Sequence, residues 1–290
     1  MERNNTQAIG AFDPVAVLPA SASRQETTAS KRSGGFVPLL PHEHGAYGQL
    51  GFPLLTAWLI GQANWPAAAA TLACVTGFWL HEPALILFGR RGVRAANELR
   101  HSAWRALAVL VPLALAGAAA AWLNGGWSLR FSFLLLLLWA VLVAAAARRG
   151  VDRRIGFELF SCLGLAACAL PVGLAAAVPL KTMLGVVAIW GIVQCGSVLA
   201  IHGVIARAKR RPRPAAGYGL AIIAVPALAA AAAGLVNRAW LAQALPLLPA
   251  LTIVALLEWR APSARHLRRL GWLLIGANAI TLLLMPGVWH

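Results

Sequence analysis

The residues able to do chemistry stand in a few short clusters. Pro41-His42-Glu43-His44-Gly45-Ala46-Tyr47 sets two imidazoles and a carboxylate between a proline and a glycine, just ahead of an apolar run that holds Gln49. Alternate side chains of an extended stretch share a direction, so His42 and His44 could project together as metal ligands or proton carriers. The spacing is not that of the HExxH zinc helix, whose histidines stand four apart on one face. A solvated headgroup anchor is the plain alternative. His81-Glu82-Pro83 interrupts a second apolar run, with Arg90, Arg91 and Arg94 following. Pro83 removes a backbone donor and disfavours helical geometry at Glu82, so a break or kink is expected there. Irregular backbone at membrane depth has to face protein or a water-filled cavity. Either a cavity lies beside Glu82, or Glu82 pairs with one of the three arginines. Glu158 stands about one turn into a later apolar run, in Gly156-Phe157-Glu158-Leu159-Phe160. No basic residue stands three or four positions on, and a helix dipole alone would give such a carboxylate about 0.3 to 1 kcal/mol. His202 closes another run and reads either as packing or as a ligand, while Asn97 and Glu98 read as solvated loop residues.

The elements that must position these groups follow from composition. Of 290 residues, 60% are hydrophobic and 12% charged, with a mean hydropathy of +0.71. An ordinary soluble domain has about 25% charged residues, so the chain is expected to be an all-α, polytopic membrane helical bundle. A spanning helix needs about 20 apolar residues. Apolar runs between punctuating glycines, prolines and charges place nine spans, at roughly 46–63, 66–88, 104–123, 131–147, 155–177, 183–206, 217–236, 239–257 and 270–288. Residues 1–40 carry Ser, Thr, Asn and scattered charges without apolar periodicity and read as a disordered cytoplasmic tail, leaving 41–290 as the transmembrane domain. No cleavable leader is expected, because the stretch from Val15 to Ala20 is short and contains Pro19.

The net charge of +16 would suggest nucleic acid in a soluble protein, but no nucleic-acid partner is expected here. All but Arg130, Lys181 and Arg238 of the 25 Lys and Arg residues fall in the tail or in alternate loops. The positive-inside rule then sets the N-terminus in the cytoplasm and the C-terminus outside. The tryptophans agree: Trp65, Trp122, Trp127, Trp240 and Trp289 fall at outer ends, and Trp104, Trp259 and Trp272 at inner ends. On this topology the acids beyond the tail, Glu43, Glu82, Glu98, Asp152, Glu158 and Glu258, all fall in the cytoplasmic half, with His42, His44, His81, Gln49 and His202. Ionisable groups retained within spans are candidates for function. Cys74, Cys162, Cys168 and Cys195 lie inside spans without a CxxC pattern and read as small hydrophobes.

The opening Pro41 to Tyr47 segment, with Pro53 in the following span, resembles the signature of the YwiC-like family of bacterial membrane proteins. That signature runs proline, a polar residue, Glu-His-Gly-Ala and an aromatic. Glu82-Pro83 followed by Arg90, Arg91 and Arg94 is similar to a second family motif, in which arginine stands where this chain has His81. Glu158 near the start of a later helix is a third match. The resemblance implies an integral membrane protein of the bacterial inner membrane and supplies no mechanism. A looser likeness is to the UbiA-type intramembrane prenyltransferases, which also have nine helices and an inside N-terminus. Their two Asp-rich loops hold magnesium and diphosphate; here the corresponding loops contain Glu98 and no aspartate, so ordinary prenyl transfer is not expected.

Three functions are weighed. The first is an enzyme, or degenerate relative of one, with a polar cavity open to the cytoplasmic leaflet and an anionic, lipid-like substrate of the prenyl diphosphate type. His44, Glu43, Glu82 and Glu158 would do acid-base or metal work; Arg90, Arg91 and Arg94, with His81 and Gln49, would bind substrate. The second is a proton-coupled transporter using the same residues as a relay. The third is a haem- or metal-binding accessory protein using His42, His44, His81 and His202. The cofactor stays open, a divalent metal included, and membrane lipid is the expected partner.

Overall fold

The computed structural model describes residues 44–151, 154–209, 217–260 and 267–289, all within the second of the two units into which the chain divides, Val37–His290. The side chains of His44, Ala239 and Leu267 lie outside the described residues, as do His42 and Glu43 and the expected tail.

Helix is the only regular structure among the described residues. The helices are α1 (His44–Ile60), α2 (Trp65–Trp79), α3 (His81–Leu87), α4 (Val93–Leu123), α5 (Trp127–Arg148), α6 (Ile155–Ala167), α7 (Ala169–Ala175), α8 (Leu180–Ala208), α9 (Tyr218–Gly234), α10 (Arg238–Ala244), α11 (Leu248–Arg260), α12 (Leu267–Leu284) and α13 (Pro286–Trp289). Several pairs are single rods with a kink, because each junction carries proline or a tightened turn. Pro83 follows the α2/α3 junction, Pro171 follows α6/α7, a short 3-10 turn at Leu245–Leu247 joins α10 to α11, and Pro286 starts α13. So joined, the helices trace the nine expected spans. Among the described residues seven are long and apolar enough to cross a membrane; α1 and α9, at 17 residues each, are shorter. The protein is an all-α membrane bundle.

One boundary departs from expectation. The third span was expected to start near residue 104, with Asn97 and Glu98 in a loop; α4 instead begins at Val93 and runs 31 residues. The reason is a helical stripe. Leu99, Ala103, Ala106 and Leu110 recur at helical spacing and pack on Ile86 and Leu87 of α3, so burial extends the helix beyond its most hydrophobic segment. At 1.5 Å per residue α4 is about 46 Å long, well over the roughly 30 Å of a hydrocarbon core.

Packing depends on small residues, as it must where lipid competes equally for apolar surface. A Cβ on Gly117 of α4 would lie 2.7 Å from the Ala69 carbonyl of α2, and one on Gly219 of α9 would lie 2.8 Å from the Gly196 carbonyl of α8. α8 is the axial element. Trp190, Met183, Val186, Val193, Ala200 and Val204 along it are fully enclosed. Its Trp190 ring stacks on Phe52 of α1, centroids 5.7 Å apart, and donates through Nε1 to Thr56 Oγ1 at 2.9 Å. At the opposite end, Asn64 caps α2 by accepting from the Ala67 N–H and donates to the Ala175 carbonyl, which ties α1, α2 and α7 together.

Candidate functional site

α1 separates two polar clusters. Tyr47 and Gln49 are two residues apart on it, about 200° around the helix, so they face nearly opposite ways. Tyr47 meets Phe78 of α2 edge to face at 5.3 Å and lies within the electrostatic reach of Glu82. Gln49 turns to α6 and α8: its backbone carbonyl accepts from Gln194 Nε2 at 2.7 Å, and its side chain lies by the Cys162 thiol.

The first cluster is built by the α2/α3 kink. The break falls at Leu80, whose N–H still bonds the Thr76 carbonyl, so the rod bends three residues before Pro83 without losing its backbone bonding altogether. The bend brings Glu82 into the first turn of α3, 4% exposed. Arg91 grips it with both nitrogen positions, Nε to Oε1 at 2.8 Å and Nη2 to Oε2 at 2.5 Å. Such fork-to-carboxylate geometry fixes the direction of both groups. Of the two alternatives for Glu82, the ion pair is therefore formed, and with Arg91 in particular. His81 heads α3, partly buried.

Beyond Glu82 the chain reverses through Gly89 and Gly92, at φ of +71° and +94°. Those backbone angles favour glycine, and they let Arg90 and Arg91 stand at the rim of a recess with Gly150, itself at φ +79°. The recess is open and holds about 530 Å³, lined by Gly89, Arg90, Arg91, Gly92 and Gly150. The Arg90 guanidinium lies over Gly150: a Cβ there would sit 3.2 Å from a guanidinium nitrogen. Arg94 does not line the recess. It points to solvent and pairs with Glu98 one turn along α4 at 2.7 Å. Of the three arginines expected to act together, two converge.

The second cluster joins α6 and α8. Glu158 in the first turn of α6 meets His202 of α8, Oε2 to Nε2 at 2.5 Å, with the carboxylate side chain 41% and the imidazole 29% exposed. The basic companion missing at helical spacing is supplied by another helix, a pairing that spacing along the chain does not reveal. Deeper along the same helices Cys195 Sγ donates to the Leu159 carbonyl at 3.8 Å, and Cys162 lies nearby. Cys74 Sγ donates to the Cys168 carbonyl at 3.5 Å. The four cysteines thus stand as two neighbouring pairs, although nothing in their spacing pairs them.

A third polar contact was not anticipated as a unit. Arg207 at the end of α8 donates to the Leu257 and Glu258 carbonyls at 2.8 and 3.1 Å, and its guanidinium lies 3.7 Å from the Glu258 carboxylate. It caps the C-terminal turn of α11, where unbonded carbonyls and the helix dipole favour a cation.

Among the described residues no group of three or more His, Cys, Asp or Glu side chains could hold a metal ion. His202 is paired with Glu158, while His42 and the His44 side chain lie outside the described residues.

Helical rods that cross a membrane, small-residue crossings and polar side chains retained inside define the class: a polytopic, integral α-helical membrane protein. Residues 40–175 match the family model described as YwiC-like protein, so that segment of the chain is similar to the YwiC-like family. The match takes in Tyr47, Gln49, Glu82, the arginine recess and Glu158. No curated protein and no solved structure matches the chain.

Proposed function

We propose that this protein binds the anionic headgroup of a lipid-like molecule at its cytoplasmic leaflet, in the inner membrane, with the Arg90/Arg91 recess as the headgroup seat. The observation that carries the reading is the recess itself. Two arginines and three glycines line it, the Arg90 guanidinium lies over Gly150, open space surrounds Gly89 and Gly92, and the Arg91 guanidinium is held in direction by the buried Glu82. Arginine suits phosphate because its donors form a planar fork matching two phosphate oxygens. A phosphate or diphosphate ester on a long apolar chain, the prenyl diphosphate type among them, would seat its charge in the recess and its chain in surrounding lipid. Glu82 in this reading is a positioning residue. It keeps Arg91 aimed and offsets part of the basic charge, so that the site discharges its ligand.

The Glu158–His202 couple stands across α1 from this recess, so the reading rests on binding at Arg90 and Arg91 alone. The test is native mass spectrometry with phosphorus analysis of protein released gently from membranes. A retained phosphorylated lipid, lost in Arg90→Gln and Arg91→Gln but kept in Arg94→Gln, supports the reading. Equal retention in all three variants overturns it.

A further inference from the structure

The Glu158–His202 cluster differs in electrostatic character from the arginine recess and lies on the other face of α1. Its unused capacity consists of acceptors. Glu158 Oε2 is engaged by His202, and among the described residues Oε1 has no partner. Gln194, 2% exposed, spends its Nε2 on the Gln49 carbonyl, and its Oε1 is buried without a partner. A buried amide carbonyl without a donor is costly, so the orphan atom marks a place where a donor belongs. Gln194, Val198 and His202 follow each other at four-residue spacing and form one row along α8. The row is buried at Gln194 and partly exposed at Val198 and His202. It therefore leads from the half-exposed ion pair inward. Among the described residues the other charged groups nearby do not fill it: Arg154 is exposed at the start of α6, and Arg207 is bound to the end of α11.

We propose that the α1–α6–α8 junction is a second binding site, taking a hydrogen-bond-donating cation of the primary ammonium class. The ammonium seats against the Glu158 carboxylate, and water molecules carried with it extend along the row, about 12 Å of helix rise, to donate to Gln194 Oε1. A quaternary ammonium has no N–H and does not satisfy either atom. Two sources share this chemistry, a free alkylamine from the cytosol and the ethanolamine headgroup of a membrane lipid. The site needs neither Arg90 nor Arg91, so it stands or falls separately from the headgroup seat.

Thermal unfolding of the full-length protein in detergent gives the test, with ethanolammonium and tetramethylammonium chloride compared at equal ionic strength. Binding to the folded state raises Tm, by about 3 °C at several times Kd for a chain of this size. The expected result is a rise with ethanolammonium, none with tetramethylammonium, and loss of the rise in Glu158→Gln and in Gln194→Leu. If a variant fails to fold, native mass spectrometry of the unaltered protein from bilayers of equal phosphatidylethanolamine and phosphatidylcholine decides. Preferential retention of the ethanolamine lipid supports the site and identifies the lipid as the source. Equal retention of both lipids, together with no response to free ethanolammonium, overturns it. Equal shifts with both ammonium salts also overturn it.

Discussion

The Glu82–Arg91 pair is lopsided, and the lopsidedness predicts unequal variants. The Glu82 side chain is 6% exposed and that of Arg91 39%. Removing the glutamate charge in Glu82→Gln leaves an arginine that can turn its guanidinium into water, so the loss is that of a partly screened pair, about 1 kcal/mol. Removing the arginine in Arg91→Gln leaves a carboxylate enclosed without its cation, and breaking a buried pair that way costs about 3 kcal/mol. With about 2–4 °C per kcal/mol for a chain of 150–250 residues, Arg91→Gln is expected to lower Tm by about 6–12 °C and Glu82→Gln by about 2–4 °C. The double variant removes the stranded charge and should cost less than the sum of the two, by about 1–2 kcal/mol. Thermal melts of the three variants in one detergent, followed by tryptophan fluorescence, give the cycle. A Glu82→Gln loss equal to or larger than that of Arg91→Gln, or strict additivity, refutes the burial argument and with it the role of Glu82 in aiming Arg91.

Other expectations follow from single contacts. Thr56→Val strands the fully enclosed Trp190 Nε1 and should cost about 1–3 kcal/mol, read as a lower Tm and a shifted tryptophan emission. Gly117→Ala puts a methyl 2.7 Å from the Ala69 carbonyl; overpacking of that kind costs about 1–3 kcal/mol and should open the α2–α4 crossing to proteolysis. Glu98→Gln removes the partner of a solvent-exposed Arg94 and should leave Tm unchanged. Reporter fusions should place the N-terminus in the cytoplasm and the C-terminus outside, and the reverse orientation would move every polar cluster to the other leaflet.

How much was legible depends on the range of the interaction. Hydropathy acts locally, because a run of about 20 apolar residues partitions into lipid whatever its neighbours do. The nine rods, the helical class and the kink near Pro83 could therefore be read from Gly45 onward in order. The family likeness was legible for the same reason, being carried by contiguous residues such as Glu82-Pro83 and the segment ending at Tyr47. The early start of α4 was less so, because Leu99, Ala103 and Ala106 are helical through burial on Ile86 of another helix rather than by hydropathy. Pairings were beyond reach. Glu158 and His202 stand 44 residues apart and Gln194 and Gln49 145 apart, and only the packing of α1, α6 and α8 joins them. Choosing Arg91 for Glu82, while Arg94 turns to Glu98, rests on the backbone angles of Gly89 and Gly92 and on the direction in which α4 leaves the turn. The amino-acid order thus determined which groups are costly to keep in a membrane, since that cost belongs to each side chain. The tertiary structure decided which of them satisfy one another, since a hydrogen bond needs two groups within about 3 Å, and chain order does not set that distance across helices.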